Sequence, residues 1–294
     1  MNEYNYVQTA PQQAPQQTPQ PDKKRSGSSS VWIILLILGA LLFFTGLILY
    51  KTVGSGEKYN VINYNNSFDA DDINKLDLDI AWSDFTINIS NDDKIYVDAK
   101  NVPSNFKAEV RNNVFMINYK KKGGFISNIH IPFLLDDSYK DSTVEISLPE
   151  KVYDSFLLNM GAGKTYISGL SCDQFKMECG AGEVNINKLK CSGADIDCGA
   201  GELTLSNIDC EHKLIIDGGA GEINISGFLG GIDLDQGVGE FTFTGAINGN
   251  IDADGGIGSM EFNLTNPSSD FGSNGKYSID IDTGVGSSSV NYDQ

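Results

Sequence analysis

Carboxylate side chains recur at regular spacing in the second half of the chain, and they are the residues most suited to chemistry. Apolar residues alternate with them, so a strand would turn all of them to one solvent-facing side. Stacked carboxylates relieve their repulsion by spreading into water, by shifting their pKa, or by binding Ca²⁺ through oxygen ligands. The two sets are Asp197, Asp217, Asp235, Asp254 and Asp282, and Glu183, Glu202, Glu222 and Glu240.

The favoured interpretation of both sets is a solvated acidic face that hinders edge-to-edge association. The repeat lacks the G-G-x-G-x-D pattern of calcium-binding β-rolls. A Ca²⁺ ladder is kept as the alternative, formed by the four glutamates with Asp197, Asp217, Asp235 and Asp254. No other metal and no cofactor is expected.

The five cysteines form two periodic sets rather than a metal site. Cys172, Cys191 and Cys210 follow one another at a constant interval, and Cys179 and Cys198 are separated by the same interval. C-x-x-C spacing of the zinc-binding kind is absent from the sequence. Stacked columns of small buried thiols are therefore predicted, and because five is odd, at least one thiol stays free or pairs between chains.

The sequence does not favour catalysis. It contains two His and two Arg, and Arg111 is the only arginine beyond residue 25. Gly161-Ala162-Gly163-Lys164-Thr165 imitates the end of a phosphate-binding loop, but Leu158 stands where the loop requires its first glycine. A regular repeat also places the same residue type at the same position of every rung, whereas acid–base catalysis needs one distinct acid beside one distinct base. We expect no catalytic residues, and a polysaccharide-active β-helix enzyme is the less favoured alternative.

A Gly-x-Gly tripeptide recurs seven times, at nearly constant spacing except for a longer last interval. Glycine suits a sharp corner because it adopts positive φ and lets a neighbouring backbone pass close by. The corner glycines are Gly161, Gly163, Gly180, Gly182, Gly199, Gly201, Gly219, Gly221, Gly237, Gly239, Gly256, Gly258, Gly284 and Gly286. Val238, Ile257 and Val285 replace alanine inside the later corners, which suggests a coil that widens towards its C-terminus.

Period-two alternation on both sides of each corner predicts two short strands per repeat. Such a repeat cannot bury its apolar face alone, so the rungs must stack. The fold class is therefore all-β, a right-handed β-helix or β-solenoid with rungs of about 19 residues. The inward columns are Ile167, Ile186, Leu205, Ile225, Phe243, Phe262 and Val290, and Leu158, Met177, Ile196, Ile216, Leu234, Ala253 and Ile281.

An early copy of the repeat runs from Leu76 to Ile87, with Ala-Trp-Ser in place of Gly-Ala-Gly. Strand candidates at 94–100, 106–111, 114–120 and 143–148 follow it. We predict an irregular first half and cap over residues 68–160 and regular rungs over 161–294.

The segments that precede residue 68 are predicted to form a membrane anchor. Residues 1–30 are rich in Pro and Gln and are predicted to be disordered and cytoplasmic. Residues 31–50 are uncharged and long enough for one transmembrane helix, a signal anchor, and 51–67 would form a stalk. Lys23, Lys24 and Arg25 precede the span, which favours a cytoplasmic N-terminus and an extracytoplasmic body in the cell membrane.

Residues 51–294 carry 18 Lys and Arg against 37 Asp and Glu, a formal charge of −19. A body this acidic repels phosphate backbones, which excludes nucleic acid as a partner.

The segments 144–149 and 156–163, with the early Leu-Asp-Leu-Asp-Ile copy, resemble a family of bacterial domains of unknown function named putative adhesins. The resemblance covers residues 70–294 and implies a membrane-anchored, single-stranded right-handed β-helix. We therefore expect a non-catalytic surface protein whose polar columns, including Thr204, Asn224 and Thr242, face a glycan, protein or envelope component. An envelope-stress sensor that signals through its tail is the alternative, and the ligand and oligomeric state stay open.

Overall fold

The computed structural model describes residues 60–119, 141–273 and 275–293, all within one compact unit, Gly54–Gln294. The predicted tail at 1–30, the membrane span at 31–50 and most of the stalk lie outside these residues. In the part that is described, no helix has the length and apolar character needed to cross a bilayer.

The described residues fold into one β-sheet with a single 3₁₀ turn at Ser268–Asp270. This is the all-β, solenoid-like architecture that the repeats predict. The strands are β1 (Val61–Asp69), β2 (Lys75–Trp82), β3 (Asp84–Ile89), β4 (Lys94–Pro103), β5 (Lys107–Arg111), β6 (Val114–Tyr119), β7 (Thr143–Leu148), β8 (Val152–Ile247), β9 (Ile251–Leu264) and β10 (Ile279–Tyr292).

The 96-residue strand β8 coils so that its own glycine corners stack. Parallel pairing then extends the coil, since Ile232 of β8 lies opposite Ile251 of β9, and Ile251 lies opposite Ile279 of β10. The interval from Ile232 to Ile251 is one regular rung, whereas the interval from Ile251 to Ile279 is longer. The extra residues of this last interval form the loop that contains the 3₁₀ turn.

Glycine is required at the corners for two reasons. The second glycine of each of six corners has a positive φ, for example +137° at Gly201. A Cβ atom on Gly201 would also lie 1.8 Å from the carbonyl oxygen of Gly182, and one on Gly199 would lie 2.4 Å from that of Gly180. Successive corners therefore stack backbone on backbone with no room for a side chain.

The N-terminal part is built differently. β2 and β3 form one rung around the corner Ala81-Trp82-Ser83, and this rung pairs in parallel with β8 on one side and with β6 and β7 on the other. β4 runs antiparallel to β7, β5 runs antiparallel to β6, and β1 runs antiparallel to β4. These reversed strands close this end of the sheet.

The stalk prediction is wrong for residues 61–67, which belong to strand β1. The segment is polar and mostly exposed, so its alternation is weak. Tyr64 and Phe68 nevertheless pack against the core, with the Phe68 ring edge-to-face on Phe115 at 5.3 Å between centroids.

The core lies inside the coil, as the two inward columns predict. Every member is buried except Val290 and Ile281, which lie in the last strand and are partly buried. Aromatic rings fill the first rungs of β8, where Phe156 and Phe175 stack with their planes 2° apart.

The predicted widening of the coil at Val238, Ile257 and Val285 is wrong. These side chains are 48%, 48% and 67% exposed, because the middle residue of each of these corners points outwards. The polar C-terminal residues continue the coil as strand β10.

Candidate binding faces of the solenoid

Two outward faces meet at the glycine corners. We call the side that follows the corners the glutamate face; its members are Glu183, Glu202, Glu222 and Glu240 with Asn185, Thr204, Asn224 and Thr242. The side that precedes the corners is the aspartate face, with Asp197, Asp217, Asp235, Asp254 and Asp282. The aspartates are all exposed, and so are the glutamates apart from the half-buried Glu183. The sequence therefore predicts their direction correctly.

Hydrogen bonds between residues two positions apart order three rungs of the glutamate face. Asn224 Nδ2 donates to Glu222 Oε1 at 2.7 Å, and Asn185 Nδ2 donates to Glu183 Oε1 at 2.8 Å. Thr204 Oγ1 makes a longer bond of 3.5 Å to Glu202 Oε1. Residues i and i+2 share one side of a strand, so the repeat brings each carboxylate beside a neutral polar partner.

Glu183 carries the strongest of these interactions. Lys164 Nζ lies 2.9 Å from Glu183 Oε2, and the pKa of the Glu183 carboxyl is lowered, mainly by this Lys164 hydrogen bond and then by the bond from Asn185. Lys164 belongs to the imitation phosphate loop, and the next residue, Thr165, is fully buried. The segment is thus a solenoid corner whose lysine is already paired.

The aspartate face becomes more acidic towards β10. Asp235, Asp254 and Asp282 lie in register on adjacent strands, and so do Asp233, Asp252 and Asp280 beside them. Desolvation raises the pKa of the Asp254 carboxyl, and Asp252, Asp282, Asp235 and Asp280 raise it further by repulsion. Lysines pair with the earlier acids, as Lys213 Nζ does with Asp233 Oδ2 at 3.0 Å.

The other candidates for chemistry are the metal-ligating residue types, the two histidines and Arg111. Within residues 60–119, 141–273 and 275–293, no three His, Cys, Asp or Glu side chains are grouped to hold a metal ion. His212 is exposed and Arg111 pairs with Glu109 at 2.9 Å, whereas His130 lies outside the described residues. The calcium ladder stays a prediction for a titration to test.

All five cysteines are free thiols, and Cys198 is the one that is half-buried rather than buried. Burial raises the pKa of Cys172 and Cys198 to about 12 and that of Cys179 to about 11. The neighbouring Cys210 and burial raise the pKa of Cys191. Buried thiols with such pKa values stay protonated at neutral pH and are poor nucleophiles.

Shallow depressions lie beside the glycine corners, and one of them has a free volume of about 20 Å³. This is room for about one water molecule, far below the several hundred Å³ of a metabolite pocket. Its floor includes Gln236, which is 3% exposed and donates through Nε2 to the carbonyls of Gly221 and Glu240 at 3.1 and 3.4 Å. Sequence reasoning missed Gln236, although it is the only amide among the residues that directly precede a Gly-x-Gly corner.

The family model Toastrack DUF4097 matches residues 73–285, which contain the β2–β3 rung and all the corners as far as Val285. The chain belongs to the Toastrack DUF4097 family. The sequence resemblance is thereby confirmed, and the Toastrack domain accounts for most of the described strands.

Several solved structures are similar to this Toastrack chain. A putative cell adhesion protein from Clostridium sporogenes is 17% identical, with 80% of this chain and 100% of that chain covered and a TM-score of 0.38. A putative adhesin from Bacteroides fragilis is 12% identical, with 81% and 100% covered and a TM-score of 0.39. One from Parabacteroides distasonis is 14% identical, with 80% and 98% covered and a TM-score of 0.39. No curated protein matches the sequence.

Proposed function

We propose that this Toastrack protein is a non-catalytic, adhesin-like surface protein, anchored in the cell membrane through residues 31–50 with its body outside. The body would be a right-handed β-solenoid with rungs of about 19 residues. The pairing of Ile232 with Ile251 between β8 and β9 supports that rung length. Its ligand would be a glycan, a protein or another envelope component. The adhesion names of the similar structures agree with this class of function.

The observation that carries the proposal is the order of the glutamate face. Carboxylates and amides at Glu183–Asn185 and Glu222–Asn224 are fixed by hydrogen bonds of 2.7–2.8 Å on two rungs, and Glu202 with Thr204 occupies the rung between them. Side chains that are already ordered lose less conformational freedom on binding. Carboxylate, amide and hydroxyl groups in rows suit the hydroxyl groups of a polymer, and repetition favours avidity over one tight pocket.

The test is a glycan array and a pull-down with envelope fractions, using the full chain in detergent with and without Ca²⁺. Asn224→Ala with Thr242→Ala should abolish or strongly weaken saturable binding. The matched control, Asp235→Asn with Asp254→Asn, alters two residues on the aspartate face of the same coil and should leave binding intact.

Loss of binding in the aspartate variant alone would place the ligand on the other face and contradict the proposed site. No saturable binding by the unmodified chain under any condition would contradict the adhesin-like function. A melting temperature unaffected by Ca²⁺ would eliminate the calcium ladder.

A further inference from the structure

Strand β10 leaves one backbone edge open. It pairs in parallel with β9 along its inner edge, and no other strand of residues 60–119, 141–273 and 275–293 pairs with it. The Asp293 N–H donates inwards to the Leu264 carbonyl at 2.9 Å. Since backbone groups alternate along a strand, the N–H groups of Ser288, Val290 and Tyr292 point to the open side. An edge of this kind is a template for one more strand.

The opposite end of the sheet carries the protection that β10 lacks. β1 is antiparallel to its neighbour and has a register irregularity between Ile62 and Tyr64, while β5 is five residues long and bears Lys107, Glu109 and Arg111. Bulges, short strands and charges are the usual means of blocking an edge. The sequence of β10, IDIDTGVGSSSVNY, contains no Lys, Arg or Pro, and its register with β9 is unbroken.

The apolar side chains of β10 are only half covered. Ile279, Ile281, Val290 and Tyr292 pack against the core from one side and are partly buried. Their partners in β9 are Ile251, Ala253, Phe262 and Leu264, which are at most 1% exposed because β10 covers them. One further layer on β10 would complete the burial of its apolar residues in the same way.

The sequence of β10 is complementary to an antiparallel copy of itself. Its two arms, 279–285 and 286–292, are equal in length and meet at the corner. Pairing about the Val285–Gly286 peptide sets Ile279 opposite Tyr292 and Ile281 opposite Val290, so that inward residues meet inward residues. The same register sets Asp280 opposite Asn291 and Asp282 opposite Ser289, so no carboxylate faces another. A shift by one residue would pair inward with outward side chains.

We propose that a second copy of this chain covers the open edge, with β10 paired antiparallel to β10 about a two-fold axis at the Val285–Gly286 corner. A two-fold interface closes after two copies. Head-to-tail stacking would instead bring β10 against the bulged β1 or the short, charged β5 of the next copy. The pairing requires neither the ligand nor the anchor of the proposed function.

The first test measures self-association of the full chain in detergent by sedimentation velocity. Ser288→Pro removes an outward N–H, and Val290→Lys puts a charge opposite Ile281 of the second copy. The matched control, Val238→Lys, adds the same charge at an exposed corner two rungs away. We expect dimers for the unmodified chain and the control, and an association at least about tenfold weaker for both edge variants, with an unchanged circular dichroism spectrum.

A monomeric unmodified chain, an open series of higher oligomers, or dimers that survive both edge variants would each overturn the proposal. Binding to a glycan by a monomeric chain would leave the proposed function standing. The two proposals therefore fail separately.

The second test fixes the register. Val285→Cys and Ile257→Cys each place an exposed thiol at a corner apex. Two copies of residue 285 are neighbours across the two-fold axis, whereas residue 257 lies one strand, about 4.8 Å, further from the axis in each copy. Diamide, which accepts the two thiol hydrogens, should link chains through Cys at 285 and not at 257. Equal linkage at both positions, or at neither, would contradict this register.

Discussion

The N-terminal part of the sheet, strands β1 to β7, and the glycine-corner rungs, strands β8 to β10, bury their apolar side chains in different ways. The rungs repeat one parallel step in which like residues stack on like residues. The N-terminal part uses antiparallel strands and edge-to-face aromatic contacts, such as Tyr64 with Phe106 at 5.2 Å. A repeating coil can grow indefinitely, so its limits depend on strands that break the repeat.

The corner between β2 and β3 marks the boundary of the two modes. Ala81 and Ser83 occupy the positions that glycine takes in later corners. Ala81 carries a Cβ atom at this corner, whereas Gly161 must leave room for the Ala81 carbonyl, which its Cβ would approach to 2.0 Å.

The largest effect should come from a side chain inside a stacked corner. Gly201→Ala combines a φ of +137° with a Cβ 1.8 Å from the Gly182 oxygen, so we expect a loss of about 3 kcal/mol or more, or no folding. Ala81→Gly, the reverse change at the boundary corner, should cost about 1 kcal/mol or less. Urea unfolding followed by circular dichroism measures both. Similar costs for the two variants would erase the proposed difference between the corners.

The next effect probes the N-terminal core. Phe115 is fully buried beneath Phe68, so Phe115→Ala should cost about 3–5 kcal/mol through lost burial and the cavity it leaves. Tyr96→Ala on β4, the strand that pairs with β1, removes a ring that is 41% exposed and should cost about 1 kcal/mol or less. If Phe115→Ala were as mild as Tyr96→Ala in thermal unfolding, aromatic packing would not be what closes this end.

Alternation and glycine spacing predicted the repeating part well, because each rung faces the same physical problem. Ile186 and Leu205 are buried and Glu202 is exposed, as predicted. The apolar–polar alternation predicted the wrong direction for side chains inside the glycine corners. Val238 looks like a core residue by type, but it lies between two glycines and points outwards.

The N-terminal closure could not be predicted from the repeat. β1 is mostly polar, and β2 and β3 separate it in the sequence from its partner β4. On the candidate face, the direction of Glu222 was predictable, whereas its hydrogen bond to Asn224 depends on side-chain conformations that alternation does not determine.

A moderate effect should separate buried from exposed amides within the rungs. Gln236→Leu leaves the carbonyls of Gly221 and Glu240 without their side-chain donor, so we expect a loss of about 1–3 kcal/mol. Gln174→Leu changes an exposed amide of the same coil and should stay within about 0.5 kcal/mol. Equal urea midpoints for the two variants would show that the hydrogen bonds of Gln236 add no stability to the folded chain.

The smallest effect is a pH dependence of opposite sign on the two faces. The pKa of Asp254 is raised, so its ionisation opposes folding as pH rises through that pKa, and Asp254→Asn should melt slightly higher than the unmodified chain at neutral pH. The pKa of Glu183 is lowered, so its contribution is present at neutral pH and lost as pH falls through that pKa, and Glu183→Gln should melt lower.

Both differences should shrink as the pH falls and the carboxyls take up protons, that of Asp254 at the higher pH because its pKa is raised and that of Glu183 is lowered. Melting temperatures of the three proteins between neutral pH and pH of about 3, at constant ionic strength, provide the measurement. A lower melting temperature for Asp254→Asn at neutral pH would show that the aspartate face is not strained by repulsion.

The position of β1 and β10 at opposite ends of the sheet sets a direction for any contact between copies. In an antiparallel β10 pair the two β1 strands lie at the far ends of the combined rod. The two β1 strands would then face away from each other, so a contact made at the β1 end of one copy would be out of reach of the β1 end of the other.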